Sequence, residues 1–248
     1  MQFLKINQDF IGKVSFPLIH VVVFVIFSVT LLGCSATQQR NKSIKEWEAY
    51  HWKRIAESAK NIPGNWISYS KNIKDSKFKA FKIKGTVRAT PKEAVEALRY
   101  RIENWTAFYS EKEVYFEVLE SDSTELLVYS IFKLPFPFRD RSMCEKFTIK
   151  EDSASGIHEI SWHQEWQKAP PEKGIIRMPV ARGSWTFEPI DSSQSIATYE
   201  VYTDPGGSLP AWMYNSTVQK GLPKELNDIE QIAKELQSKN QALYHNQP

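Results

Sequence analysis

Between residues 112 and 203 the chain has little helical periodicity and a dense run of β-branched and aromatic residues, cut at short intervals by turn-forming segments. The segments "SDS", "LPFPFRDR", "EDSASG", "APPEKG" and "IDSSQ" divide it into six expected strands, at 112–120, 124–133, 142–150, 157–167, 177–188 and 195–203. Turns this short join neighbours, so the strands should form an antiparallel meander. A helix follows. "TDPGGSLPAWMYNS", residues 203–216, turns at 205–207, offers Ser208 as a cap and Pro210 in the first turn, then places Trp212, Met213 and Tyr214 in succession. Three consecutive bulky side chains sweep roughly 200° of a helix, whereas a helix packed on one side needs an apolar stripe about 100° wide. This helix needs a cover for each of two faces.

Upstream of the strand run, "NWISYSKN" and "KFKAFKIKGTVRA" read as two strands joined at "IKDS". "TPKEAVEALRYRIENW" then reads as a helix, with Thr90 as cap, Pro91 at the first position and Glu93 completing a capping box; Val95, Leu98 and Ile102 make its buried stripe. Earlier still, "SIKEWEAYHWKRIAESAK" places Ile44, Trp47, His51, Ile55 and Ala59 at helical spacing, so an amphipathic helix is expected from residue 43, ended by Pro63 and Gly64. The order helix, two strands, helix, six strands, helix belongs to the α+β class. Gly221 and Pro223 fall within residues that otherwise read as helical from Ser208 to Leu236, which predicts a kink or break near Gly221 and a first half free to move as a gate.

The first residues carry Lys5 and Lys13, and the apolar run "LIHVVVFVIFSVTLLG" that follows stops at Cys34. The ending "LLGC" is similar to a bacterial lipoprotein signal, in which the cysteine after a small residue becomes the acylated N-terminus. The competing reading is a retained anchor, but the run from Leu18 to Gly33 has 16 residues and includes His20, short of the ~20 needed to span a bilayer. The expected organisation is a leader over 1–33, a polar tether over 34–42 and a domain over 43–248. Ser35, rather than Asp, follows the cysteine. In a Gram-negative host that resembles the signal for the outer membrane facing the periplasm, so the expected address is the cell envelope, through a lipid anchor.

With 42% hydrophobic and 25% charged residues the chain can bury a sizeable core. The leader holds two of the 32 basic and one of the 29 acidic residues, so the remainder is close to neutral and lacks the charge excess of a nucleic-acid binder. Once Cys34 is acylated, Cys144 has no partner for a disulfide. His158, Glu159, His163 and Glu165 look like a ligand cluster, but His158 falls on the opposite strand face from His163. Cys144 has no histidine-bearing motif beside it, and there is no "G-x-S-x-G" elbow, phosphate loop or dinucleotide fingerprint. No catalytic residue, metal or cofactor is expected.

Five segments carry a family resemblance: "ISYSKNIKDSKFKAFKIKGTVRATPKEAVEALR", "ENWTAFYSEKEVYFEVLE", "VYSIFKLPFPFRDRSM", "RMPVARGSWTFEPI" and "YTDPGGSLPAWMYNS". Pro135, Pro137, Asp140 and Arg141 of a "P-x-P-x-x-D-R" stretch combine with Asp204, Pro205, Gly206, Gly207, Pro210 and Asn215. From about Asn65 to Leu236 the chain resembles the START family, the lipid-transfer domains related to steroidogenic acute regulatory protein. The resemblance implies a helix-grip fold, in which a curved antiparallel sheet wraps a long C-terminal helix around an internal apolar tunnel for one lipid. One face of the helix would seal the tunnel and the other would pack on neighbouring structure. Leu209, Trp212, Met213 and Thr217 lie on one side of the helix and Ala211, Tyr214, Asn215 and Val218 towards the other; Trp212, Met213 and Thr217 are taken as the tunnel side.

Alternation puts Met143, Glu145, Phe147 and Ile149 on one face of 142–150, against Cys144, Lys146 and Thr148, and Ile160, Trp162 and Trp166 on one face of 157–167. These faces should point inward. An unpaired inward charge on Glu145 would cost several kcal/mol, so it needs a cation, with Arg182 and Arg177 as candidates, or a proton. Glu145 is then either a head-group contact or a salt bridge at the rim, and Trp162 either core or ligand wall. The candidate ligand-binding set is Met143, Glu145, Phe147, Trp162, Arg182, Trp212, Met213 and Thr217, with Cys34 as the lipidation site. The expected function is binding, and transfer, of a lipid or other hydrophobic small molecule by an envelope lipoprotein that meets the membrane through Cys34. Alternatives are a cyclase- or hydrolase-like enzyme of the same grip-fold superfamily and a structural lipoprotein with a solid core.

Overall fold

The computed structural model describes residues 52–58, 65–108, 114–170 and 173–245. The leader, Cys34, the tether and the first residues of the helix expected from 43 lie outside these. Strands β1 (Lys53–Glu57), β2 (Trp66–Asn72) and β3 (Lys79–Val87) come first, then helices α1 (Pro91–Glu103) and α2 (Trp105–Phe108). Strands β4 (Val114–Ser121), β5 (Glu125–Phe132), β6 (Arg141–Asp152), β7 (Ile157–Gln164), β8 (Ile176–Arg177), β9 (Val180–Pro189) and β10 (Ser195–Asp204) follow, and α3 (Ala211–His245) closes the chain. The sheet runs β1-β2-β3-β10-β9-β7-β6-β5-β4, and β8 pairs in parallel with β6 off this path. The expected meander is therefore present from β4 to β10. What unites the two halves is the pairing of β10 with β3, which brings Val87 opposite Ser195 and Phe81 opposite Val201.

Local chemistry accounts for α1 directly. Thr90 Oγ1 accepts from the Glu93 amide and the Glu93 carboxylate accepts from the Thr90 amide, the capping box read from the sequence. The helix buries Ala94, Val95, Ala97, Leu98 and Ile102. Opposite them, α3 contributes Leu222, Leu226, Ile229, Ile232 and Ala233. Both helices sit on one face of the sheet, where Phe81 and Ile83 of β3, Ala197 of β10, Trp185 and Phe187 of β9, Ile160 of β7 and Leu126 and Val128 of β5 complete a continuous core. Arg101 of α1 crosses to α3, with Nη2 3.0 Å from Glu225 and Nη1 3.9 Å from Asp228.

Strand alternation holds in β6. Phe147 and Ile149 join the inner core, while Cys144 turns outward to pack with Leu127 and Tyr129. Four expectations fail. The segment from 43 does not continue as a helix: Lys53–Glu57 is extended and pairs with β2, because the open edge of β2 offers a row of backbone partners that outweighs the helical spacing of Ile55 and Ala59. Trp166 is not inward. Strand β7 ends at Gln164, the chain bends, and Trp166 packs on the outer cluster around Cys144. Ser208 does not start the last helix; it lies in the preceding turn, and the first helical turn closes where the Tyr214 amide donates to Pro210 O. Nor does that helix break at Gly221. It is helical throughout Ala211–His245 with Pro223 inside. Pro223 deletes the bond to the carbonyl of residue 219, and Gln219 is exposed, so water can take the place of the missing donor.

The sheet's inner face also shows why a strand glycine stands at 183. Gly183 lies directly opposite Trp162 in the β7–β9 pairing, and the indole occupies the space a side chain would need: a Cβ there would come within 2.7 Å of Trp162 Cη2. Gly183→Ala should therefore overpack the core and lower stability by about 1–3 kcal/mol. Equilibrium urea unfolding of variant and parent checks this, with an unchanged midpoint as the contrary result.

Candidate functional site

A cavity of about 250 Å³ opens between the first turns of α3 and the part of the sheet nearest them. Met143 of β6, Met178, Val201 of β10 and Leu209, Met213 and Leu222 beside or on α3 make much of its apolar wall. One water needs ~10–15 Å³ of such space, so this is far more than a packing fault. Gly221 also faces it. A Cβ at 221 would meet nothing within 4 Å, so the glycine contributes open volume where any larger residue would fill it.

Polar contacts hold this end of α3 in place. Arg141, at the start of β6, is 2% exposed; its Nε donates to Pro205 O at 2.6 Å, its Nη2 to Gly206 O at 3.2 Å and its Nη1 to Arg139 O. Gly206 and Gly207 both have positive φ, and a Cβ on Gly207 would sit 3.1 Å from Arg141 Nη2. The glycines thus allow the turn to bend and the guanidinium to enter it. One turn into the helix, Asn215 Oδ1 accepts from the Lys79 amide at 3.0 Å and its Nδ2 donates to Lys77 O at 3.3 Å. Tyr214 meets the Phe78 ring edge-on at 5.4 Å.

The charged groups at the cavity wall are mostly matched. Lys133 Nζ pairs with Asp140 at 3.2 Å, and Glu225 is held by Arg101. Glu145, two residues beyond Met143 on the same strand face, differs: it is 8% exposed, and burial alone pushes its carboxyl up from 4.5 to about 7. Its charge is felt by the buried phenols of Tyr199 and Tyr214, both of which line the cavity and have their own pKa values raised, chiefly by burial. Glu145 thus lies just behind the wall that Met143, Tyr199 and Tyr214 make.

Of the residues singled out from the sequence, Met143, Met213 and Thr217 line the cavity. Thr217 Oγ1 donates to Met213 O at 2.9 Å, which satisfies the hydroxyl within the helix. Glu145, Phe147 and Trp162 are not among the lining residues; Glu145 is set back behind Met143. The Phe147 and Trp162 rings stack at 5.6 Å, and Trp162 continues to Tyr199 at 5.9 Å and Tyr199 to Trp185 at 4.6 Å, a ladder of rings that fills the inner face farther along the strands. Arg182 points outward, since Ala181, Gly183, Trp185 and Phe187 take the inward positions of β9; its guanidinium lies 5.5 Å from the Tyr202 ring. Arg177 lies over the Trp166 ring at 4.9 Å, so neither arginine reaches Glu145. Trp212 is 66% exposed and belongs to solvent rather than to the cavity. Tyr199, Val201 and Thr203 were not singled out, although alternation along 195–203 puts all three on one face with Ala197.

Because its burial raises the Glu145 pKa above the unfolded value, the folded state holds that proton more tightly. The carboxylate then costs stability above pH 7, and the cost fades as pH falls from 7 to 4.5. Glu145→Gln should accordingly be more stable than the parent at pH 8, by about 3 kcal/mol, with the difference closing below pH 5. Urea unfolding across this range checks it; a variant less stable at pH 8 would show that Glu145 gains more from its surroundings than burial costs it.

Among the described residues no group of His, Cys, Asp and Glu is arranged to hold a metal ion. The profile of the START domain matches residues 36–239. The uncharacterised protein PA1579 of Pseudomonas aeruginosa is 29% identical over 153 residues, 60% of this chain and 73% of that protein. Phosphatidylcholine transfer protein of Mus musculus is 25% identical over 117 residues, 46% of this chain and 55% of the mouse protein. Among solved structures, a fragment of the STAR-related lipid transfer protein of Xanthomonas axonopodis superposes with a TM-score of 0.59 at 25% identity, covering 74% of this chain and 98% of that one. Human STARD10 superposes with a TM-score of 0.60 at 19% identity, covering 79% of each chain. The matched residues take in both halves of the sheet, the turn glycines at 206 and 207 and most of α3, and the chain belongs to the START domain family.

Proposed function

We propose that this protein binds a single apolar or amphipathic ligand in the cavity beneath α3 and carries it without altering it, while anchored in the cell envelope through an acylated Cys34. The observation that carries this reading is the open cavity itself, walled by Met143, Val201, Met213 and Leu222 beside a core that is closed everywhere the rings of Trp162, Tyr199 and Trp185 stack. Its volume, about 250 Å³, lies just under the ~300–1,000 Å³ usual for small-molecule sites. That suits one acyl-length chain in this conformation. Burying twelve methylenes at ~0.8 kcal/mol each gives about 10 kcal/mol before association costs, enough for micromolar binding.

Transfer, as distinct from storage, is supported by two exposed rings. Phe136 is 95% exposed in the loop whose first residues, Lys133 and Leu134, line the cavity, and exposed Trp212 precedes the cavity-lining Met213. Exposed aromatic side chains beside an apolar opening suit contact with a lipid surface. The enzyme alternative needs a titratable group at the reacting atoms, and the solid-core alternative needs the cavity to be filled.

Native mass spectrometry of the purified full chain, followed by solvent extraction, should find a co-purifying apolar molecule that is recovered unchanged. An altered product would favour the enzyme. Gly221→Leu should fill the cavity and weaken uptake at least tenfold, while stability stays level or rises by up to about 1 kcal/mol because a glycine leaves the helix. Undiminished binding in that variant would place the ligand elsewhere. For the anchor, metabolic labelling with an alkynyl fatty acid should tag the parent chain and miss Cys34→Ala; equal labelling of both would refute acylation at this residue.

A further inference from the structure

Among the described residues, one carboxyl beside the cavity lacks a cation. Of the charged groups there, Arg141 is spent on three carbonyls, Lys133 on Asp140, and Glu225 on Arg101. Glu145 is more than nine-tenths buried, and no described residue donates a hydrogen bond to it or pairs with its charge. The groups opposite it offer no compensation. Across the sheet its partners are Val128 on β5 and Gln164 on β7, and the Gln164 amide nitrogen is engaged with Met178 O. From β10 and α3 come the phenols of Tyr199 and Tyr214, both of which stay neutral through the physiological range. A carboxyl left in such a place is stabilised only by a donor that arrives from outside the fold.

We infer that Glu145, one side chain behind the wall made by Met143, Tyr199 and Tyr214, is the polar recognition point that a ligand in the cavity reaches past that wall, and that the ligand is a slender amphiphile whose head donates hydrogen bonds and carries no negative charge, with a primary ammonium fitting best and a hydroxyl next. This rests on the carrier reading above and adds the ligand's chemistry to it. A head bearing carboxylate or phosphate would bring a second negative charge beside an acid that already lacks a cation, while every nearby cation is committed to another partner. An ammonium head supplies both the charge and the donors that Glu145 lacks. The ligand's tail then runs along Met143, Met213 and Leu222. Since an ammonium favours the ionised acid, its uptake should strengthen as pH rises through the range in which Glu145 loses its proton.

The test offers the full chain, kept soluble by a non-ionic amphipathic polymer, an equimolar mixture of dodecylamine, 1-dodecanol and dodecanoate, at pH 8 and at pH 6. Retained ligands are extracted and quantified by mass spectrometry. At pH 8 the parent should retain dodecylamine at least tenfold over dodecanoate, with 1-dodecanol between them. Its amine retention should fall several-fold at pH 6. In Glu145→Gln, which keeps the shape of the side chain, the amine preference should shrink to within about threefold and lose its pH dependence. Dodecanoate retained as well as dodecylamine by the parent, or an undiminished amine preference in Glu145→Gln, would overturn the inference and leave the carrier reading standing. Retention of none of the three by either protein would overturn both. The parent's own comparison at two pH values decides the matter even if the variant folds poorly.

Discussion

A single buried guanidinium fixes where the last helix begins. Arg141 reaches from the first residue of β6 into the turn before α3 and is satisfied by backbone carbonyls alone. Burying a cation with no carboxylate against it is costly unless its donors are filled, and here the turn's own geometry fills them. The consequence is that the start of α3 is held by directional bonds, at Arg141 and again at Asn215, as well as by the packing of Tyr214 on Phe78. Beyond Leu222 the helix packs on α1 and the sheet in the ordinary way. A cavity can persist in the first part because its roof does not depend on its contents.

Features that cost stability gather at that same end. An internal glycine costs a helix about 1 kcal/mol relative to alanine, and an internal proline about 3. Gly221 and Pro223 stand within three positions of one another, and Gly221 lines the cavity. In the ladder of Phe147, Trp162, Tyr199 and Trp185, by contrast, the space at Gly183 is filled by the Trp162 indole rather than left open. Local departures from the best-packed solution tend to mark the place where a protein does something other than fold.

Much of this was legible in the residues. The strand run, the capping box at Thr90 and the inward set of Met143, Glu145, Phe147 and Ile149 all follow from short-range periodicity, which packing respected. What failed depended on partners distant in sequence. Ile55 and Ala59 are spaced for a helix, and only the free edge of β2 makes Lys53–Glu57 a strand. Alternation could say that Glu145 points inward, but not that it stays unmatched, since that required the register of β9; the inward parity of Ala181 and Gly183 already spoke against Arg182. Trp212 and Met213 share a helical side, and only the position of the sheet decides which is covered. How far the cavity extends along β6 is set by where the aromatic ladder begins, a property of side-chain volumes summed over four strands.

The pairing of β3 with β10 has a consequence for how the chain comes into being. It joins residues more than a hundred positions apart, and β10 is the strand that completes both flanks of the inner face at once. Until it is present, β1, β2, β3 and α1 form a fragment with an open edge, and the meander from β4 onward lacks its neighbour. Chain closure of this kind is slow and comes late, because the entropy of the intervening loop is lost before the contacts that offset it are made. During vectorial synthesis the polypeptide therefore stays without a finished core until nearly its whole length has emerged. Such a chain remains threadable through a narrow channel long after a fold of purely local contacts would have set.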